Sequence, residues 1–378
     1  MHEGFERRAF LGSSAAFGGL ALSGCATTSD RRAAAPCTPL APVNVDPSRV
    51  IRTVAGLRPY RASGFVVRRE QIGDKALVHN YGHGGAGITL SWGSSRLATN
   101  LGLQGHGGPV AVIGAGIMGL TTARLVQQAG FPVTIYAAAL PPDTTSNVAA
   151  GQISPFGHFR DDAVTPEWRE QLLTAMDYSW RRFQLLAGED YGVHWLPTYV
   201  EAAGPPDPAN PLHRYSPGSR TLGPGEHPFP LDDVSIYNTM YVETGRFLRR
   251  LTSDIQGMGG RIEVRRFASA SDISGLPEPL VFNCTGLGSR ELFGDAEMIP
   301  VRGQLAILMP QPEVRYAFTG DAGYMFSRPD GIILGGTFER GEESAIAEPA
   351  TIERILARHA KLFASFRCSL DPARPASI

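Results

Sequence analysis

Val110-Ala-Val-Ile-Gly-Ala-Gly-Ile-Met-Gly119, followed by Leu120-Thr-Thr-Ala-Arg-Leu-Val-Gln-Gln-Ala-Gly130, is the stretch on which the fold turns. Val110 to Ile113 are apolar without alternation, which predicts a strand buried on both faces. The glycines after it open a helix whose apolar residues recur at helical spacing. Each glycine has its own duty: Gly114 permits the tight turn, Gly116 lets a pyrophosphate approach the backbone, and Gly119 lets helix and strand pack closely. Phosphate charge then meets unpaired N–H groups at the helix N-terminus. A second strand at Pro132-Val-Thr-Ile-Tyr136 completes the context in which such a glycine triplet marks a dinucleotide site. The carboxylate that should bind the ribose just past this strand is missing, because the chain there reads Ala137-Ala138-Ala139.

Such a unit normally opens its domain, yet over a hundred residues precede it here. At 378 residues the chain has room for two lobes, and its 44 Gly and 29 Pro predict many loops between short elements. A net charge of −1 and the lack of any basic tract exclude a nucleic-acid binder.

Residues 1–25 have the order of an export signal. Arg7-Arg8-Ala9-Phe10-Leu11 is a twin-arginine pattern, Ser13 to Leu22 is a short Gly- and Ala-rich apolar segment, and Leu22-Ser23-Gly24-Cys25 resembles a bacterial lipobox. The apolar segment falls short of the roughly 20 residues needed to span a bilayer. The expectation is export to the cell envelope or periplasm, with membrane attachment only through a lipid on Cys25. Residues 26–47, rich in Ala, Pro, Thr and Arg, read as a tether.

Structured patterns begin at Ser48. Strands are expected at Val50 to Val54 and Ala76 to Asn80, then a glycine turn, Tyr81-Gly-His-Gly-Gly-Ala-Gly87, running into a helix through Asn100. That turn is a second place where a flat or anionic ligand meets bare backbone and a helix dipole. Asp143 to Gln152 is a polar loop ending in small residues, and residues 165 to 189 an amphipathic helix. Residues 203 to 231 are dense in Pro and Gly and read as irregular. Further on come a strand from Tyr237 to Tyr241, a helix from Thr244 to Gly257 and a strand from Arg261 to Arg265. Leu280 to Gly286 is a buried strand ending in a glycine turn. Arg302 to Met309, Gly323 to Arg328 and Gly331 to Thr337 predict successive antiparallel strands, with a helix from Thr351 to Phe363 and a loose tail from Ser369.

Together these pieces resemble the D-amino-acid oxidase family of flavoproteins. The matching segments are VAVIGAGIMGL at 110, DTTSNVAAG at 143, VFNCTG at 281, RGQ at 302, GYMFSRPDGIILGGTF at 323, GLRP at 56 and HNYGHGGAGITLSWG at 79. The resemblance implies an α/β fold: a Rossmann-like FAD-binding domain with a parallel sheet and a substrate domain with a mixed or antiparallel sheet. In the family the GLRP and NYGHGG segments close the chain, whereas here they open it. The sequence therefore looks circularly permuted, with residues 48 to 102 moved in front and joined through Gly102 to Pro109, a tolerable change where termini lie close. On this reading 48–160 and 251–302 form the FAD domain, 161–250 and 303–350 the substrate domain, 351–368 a helix and 369–378 a tail.

The resemblance carries the chemistry with it. It implies FAD as cofactor, with Gly114, Gly116, Gly119, Thr144 and Thr145 along the diphosphate side and Gly151 and Gln152 flanking the ring. Gly84, Gly85, Gly87, Ile88 and Thr89 lie against the ring. Arg58 and Tyr324 hold a substrate carboxylate, for which a guanidinium fork is the natural bidentate partner, and the Gly85 carbonyl holds the amine. No general base and no metal are called for, so His79 and His83 read as structural; the α-hydrogen leaves as hydride once the substrate is oriented. The implied activity is oxidative deamination of D-amino acids to 2-oxo acids and ammonia, with O2 reduced to hydrogen peroxide. Two alternatives stand beside it: a dehydrogenase serving a membrane acceptor, and a flavin-binding envelope lipoprotein without turnover. Some members have a tyrosine where this chain has Phe338, and the animal enzymes have a lid tyrosine where it has Gly320. The permutation also puts Cys37 and Cys368 on either side of the cut, where an oxidising compartment would let them close the seam. Connectivity itself is not readable from sequence, and Cys284, in an apolar strand, reads as inert. Side-chain preference and oligomeric state stay open.

Overall fold

Every residue of the apolar run Val110–Ile113 is buried, as a strand covered on both faces requires. A computed structural model describes residues 37–369, except 202, 203, 205, 206, 208 and 224. The stretches read as an export signal and a lipobox with Cys25, and the tail from 370, lie outside the described residues.

In chain order, β1 (Val50–Tyr60) runs straight through the GLRP segment, so Arg58 stands on a strand rather than after one. β2 (Val66–Ile72) and β3 (Lys75–Tyr81) form a hairpin closed by Gly73 and Asp74, with Gly73 at φ 59°. Sequence pattern does not reveal β2, because its Arg68, Arg69, Glu70 and Gln71 all face water at a sheet edge. α1 (Gly87–Gly102) follows the glycine turn, then β4 (Val110–Ile113), α2 (Ile117–Gln128) and β5 (Val133–Ala137) form the expected unit. A short α3 (Thr145–Val148) interrupts the polar loop. α4 (Pro166–Leu185) begins with Thr165 accepting from the Trp168 N–H and a proline in its first turn, a strong start signal. β6 (Val193–Glu201), β7 (Arg220–Leu222) and β8 (Val234–Val242) follow, so the stretch read as irregular contains a strand.

α5 (Thr244–Gly257) buries Phe247, Leu248, Leu251 and Ile255 along one face. After β9 (Arg261–Val264) come α6 (Ala270–Ser274), opened by a Ser269–Asp272 capping box, β10 (Leu280–Asn283) and α7 (Gly288–Phe293). β11 (Ile299–Leu308), β12 (Ala317–Gly320), β13 (Gly323–Arg328), β14 (Gly331–Gly335), β15 (Glu339–Arg340) and α8 (Pro349–Ala364) complete the chain.

Two sheets result. One has the order β2-β3-β10-β4-β5-β9 and is parallel except at β2. The other has nine strands in the order β1-β11-β14-β13-β12-β6-β8-β7, with β15 against β11. It is antiparallel apart from the β12–β6 pair. Residues 48–102 contribute to both, β1 to the large sheet and β2 and β3 to the other. A half-buried charge cluster ties β11 to its neighbours: the Arg302 side chain bonds Glu339 and the exposed Glu348, and Gln304 bonds Glu339 and the Glu348 N–H.

Cys37 and Cys368 form a disulfide with Cα atoms 6.5 Å apart, and Leu40 pairs with Ser369 beside it. A cross-link between residues 331 apart removes much unfolded-chain entropy. Cys368→Ser, or reduction, is expected to lower stability by about 2–4 kcal/mol. Urea midpoints with and without reductant check this; coincident midpoints would contradict it.

Candidate active site

The C-terminal edge of the parallel sheet is where an open α/β fold takes its ligand. Here that edge and the face of the large sheet enclose a cavity of about 790 Å³, at the upper end of ligand-pocket sizes. Two helix N-termini open into it. α2 starts at Gly116 and α1 at Ala86, and neither has a side-chain cap, so most first-turn N–H groups remain for an anion. Ser146 of α3 accepts from the Ile117 N–H at 3.0 Å, tying the loop to the turn.

Gly114 and Gly119 take the turn and the close packing that their spacing predicts. Gly114 has φ 110°, and a Cβ there would lie 2.4 Å from the Cys284 carbonyl oxygen. Beside Gly116 the nearest atom a Cβ would meet is Ser146 Oγ, at 3.2 Å. A Cβ on Gly119 would fall 1.8 Å from the Gly114 carbonyl oxygen, so this glycine serves packing and is not in the cavity wall. Thr89 is also not in the wall: its hydroxyl accepts from the Ser154 N–H at 3.0 Å and donates to the Gln152 carbonyl at 3.3 Å. The other expected residues all line the cavity: Arg58, Tyr324, Gly84, Gly85, Gly87, Ile88, Gly114, Gly116, Thr144, Thr145, Gly151 and Gln152.

Arg58, Gly85 and Tyr324, far apart in sequence, meet at one end. A Cβ on Gly85 would lie 3.6 Å from Arg58 Cδ. The Arg58 guanidinium donates to the Thr337 carbonyl at 3.1 Å and rests on the Phe338 ring, 5.5 Å from its centroid. Its bed on β11 is Gly303, where a Cβ would come within 2.3 Å of the guanidinium. The Tyr324 ring stacks on Phe326 at 4.7 Å and fills space that only Gly335 and Gly336 leave open. Burial holds its phenol above the ordinary value, and the facing Arg58 offsets part of that rise.

Sequence reasoning gave no role to Gly303, although its RGQ motif is a signal, and it overlooked Arg328. The buried Arg328 side chain grips Asp330 through two bonds and offers Nη1 to the carbonyls of Ala149, Ala150 and Val242 at 3.1–3.3 Å. It thereby fixes the loop that delivers Gly151. Gln152 is steered from the other side, its amide donating to the Tyr241 and Tyr237 hydroxyls at 2.9 and 3.2 Å.

His79 and His83 are both built into the fold. His79 bonds Glu70 and Asn283. His83 bonds Ser94 at 2.8 Å and stacks on Phe65, and burial, with His158 close by, pushes its pKa down to about 3. Burial lowers His158 to about 4. Unfolded, both titrate near 6.5, so below that pH the unfolded chain takes up protons that the folded chain refuses. Stability should therefore fall from 6.5 down to about 4, by up to about 1.4 kcal/mol per pH unit for each histidine. Denaturation midpoints across this window check it, and His158→Leu should flatten the slope; a pH-independent midpoint in the unsubstituted protein would contradict it.

A nucleotide cradle and a guanidinium facing the same cavity fit a nucleotide-dependent oxidoreductase. The family model described as FAD dependent oxidoreductase matches residues 8–101 and 109–376, and the chain belongs to that family. Its cofactor is FAD, which the uncapped helix starts and bare glycine backbone fit. The chain is 28% identical over 223 residues to D-amino acid oxidase of Dugesia ryukyuensis, covering 57% of this chain and 65% of the relative. It is 29% identical over 237 residues to D-aspartate oxidase of Homo sapiens, covering 61% and 66%. The matches thus span just under two thirds of these relatives. Among solved structures, glycine oxidase of Geobacillus kaustophilus shares the fold, with a TM-score of 0.52 at 18% identity over 69% of this chain and 80% of that one.

Proposed function

We propose that the protein oxidises D-amino acids with uncharged side chains to 2-oxo acids. Each substrate, with one O2 and one water, gives one oxo acid, one ammonia and one hydrogen peroxide. The observation that carries this is the meeting of Arg58, Tyr324 and Gly85 in the same cavity as the nucleotide cradle. The name of one curated relative, D-amino acid oxidase, agrees with oxidation of D-amino acids, while the other, D-aspartate oxidase, is named for an acidic substrate.

FAD, when bound, supplies the acceptor for the two electrons of the α-carbon–hydrogen bond. The chain's own part is geometry. Arg58 offers a fork to the carboxylate, Tyr324 a further donor, and the Gly85 carbonyl an acceptor for the amine. Among the described residues of the cavity, neither His83 nor Cys284 is poised to take a proton at neutral pH: His83 is held at about 3 with Nε2 bonded to Ser94, and burial lifts the Cys284 thiol to about 12. Orientation rather than base catalysis is what these residues provide. Besides Arg58, the charged wall residues are Asp143, Glu291, Arg265 and Arg266, all from segments that follow β5, β9 and β10, while the Phe338 ring lies under Arg58 and Phe326 stacks on Tyr324. That surface favours a neutral substrate side chain over an acidic or basic one.

The test is a panel of D- and L-alanine, D-leucine, D-aspartate and D-lysine, reading peroxide in air and dye reduction under nitrogen. Peroxide from D-alanine and D-leucine is expected. Dye reduction without peroxide would make it a dehydrogenase, and neither signal would make it a binding protein.

Two further parts of the proposal concern the chain rather than the chemistry. The Cys37–Cys368 disulfide supports an exported protein, as the twin-arginine pattern and Cys25 suggest. Among the described residues no helix is long and apolar enough to cross a membrane; membrane attachment is proposed through a lipid on Cys25. The order of segments is read as a circular permutation, supported by the bridging of Cys37 to Cys368 beside the Leu40–Ser369 pair.

A further inference from the structure

The alanines after β5 leave one end of the cavity without the carboxylate that its fold usually places there, and the neighbouring strand offers the opposite charge. β5 and β9 run parallel, with Ala137 opposite Val264. The Arg265 N–H donates to the Ala137 carbonyl at 2.9 Å, so the chain leaves β9 beside Ala138. Ala138, Ala139, Arg265 and Arg266 all line the cavity. The Arg265 guanidinium is held over Phe267 at 4.8 Å and Tyr136 at 5.9 Å, by rings rather than by an acid. Arg266 makes no hydrogen bond or ion pair within the described residues.

A carboxylate here would accept from ribose hydroxyls and repel a phosphate. A guanidinium does the reverse: it attracts phosphate, and its flat face stacks on aromatic rings such as a purine. The nearest candidate for the missing acid, Asp143, comes six residues after Ala137 in the loop before α3. We infer that Arg265 and Arg266 hold the adenylate half of FAD by charge and stacking, in place of a carboxylate bond to the ribose, and that this end of the cavity accepts a phosphate on the adenosine ribose.

This rests on FAD as cofactor and not on the choice of substrate, so its test is read on bound flavin, without turnover. FAD fluorescence released from the full-chain holoprotein is followed on dilution and on adding ADP-ribose or its 2′-phosphate derivative. The 2′-phosphate derivative is expected to displace FAD at a lower concentration than ADP-ribose. Arg266→Ala should raise the Kd for FAD by about tenfold, the scale of a lost charge-assisted bond, and abolish that advantage. Arg266→Lys should retain part of both, and Asp143→Asn should change neither. Weaker competition by the 2′-phosphate derivative, an unaltered Kd in both Arg265→Ala and Arg266→Ala, or loss of FAD in Asp143→Asn would each overturn the inference.

Discussion

Arg58→Ala is expected to leave the protein folded and yellow while lowering kcat/KM for D-amino acids by about 2–5 kcal/mol, roughly thirty-fold to several thousand-fold. The guanidinium bonds the Thr337 carbonyl and the Tyr324 hydroxyl, and otherwise rests on Phe338 and on the bare backbone of Gly303. Thr337 is only half-buried, so its freed carbonyl can turn to water, and Tyr324 still faces the cavity, so little stability is at stake. The substrate carboxylate, by contrast, would enter a partly dry cavity without its fork. Arg58→Lys restores the charge but not the bidentate geometry and should recover only part of the loss. Steady-state kinetics on the variants check this, and unchanged kinetics in Arg58→Ala would remove the residue from the site.

Gly119→Ala should have the largest effect on the cofactor. Its methyl would sit 1.8 Å from the Gly114 carbonyl oxygen, a backbone atom with nowhere to go because Gly114 is itself pressed against the Cys284 carbonyl. Relief requires α2 to move off β4, at a cost of about 3 kcal/mol or more for a buried overpacked site. The expected product is a colourless protein, or one that loses flavin on gel filtration. Arg58→Ala keeps its flavin, so the pair separates cradle from fork. Full flavin content in Gly119→Ala would contradict the close packing on which the cradle depends.

What could be read ahead of the structure follows from where the information lies. The β4–α2 cradle was legible because its duties fall on three glycines within six residues and on a strand buried on both faces. α5 was legible because its apolar residues keep helical spacing on one face. β2 was not, being polar on both faces at a sheet edge. Nor was β7, hidden among prolines and glycines. Arg58, Gly85 and Tyr324 were reached through motif resemblance, since nothing local in β1 announces that its arginine will face a glycine turn and a tyrosine 266 residues further on. Arg328 was missed because its work is done on carbonyls, which carry no signature in sequence. Gly303 was quoted as part of a motif, but its purpose needed the opposing strand, where Gly56 pairs with it two residues from Arg58. Thr89 was placed against the ring by family position; its hydroxyl ties α1 to the segment after Gly151, a bond that sequence does not announce.

The most direct test of the central claim, that the fork at Arg58 and the cradle at Gly114 serve one reaction, is anaerobic mixing of holoprotein with D- or L-alanine while the yellow flavin band is recorded. The account predicts rapid bleaching by the D-enantiomer alone, and its slowing at the same concentration in Arg58→Ala. Bleaching by both enantiomers, by neither, or equally fast without Arg58 would contradict it.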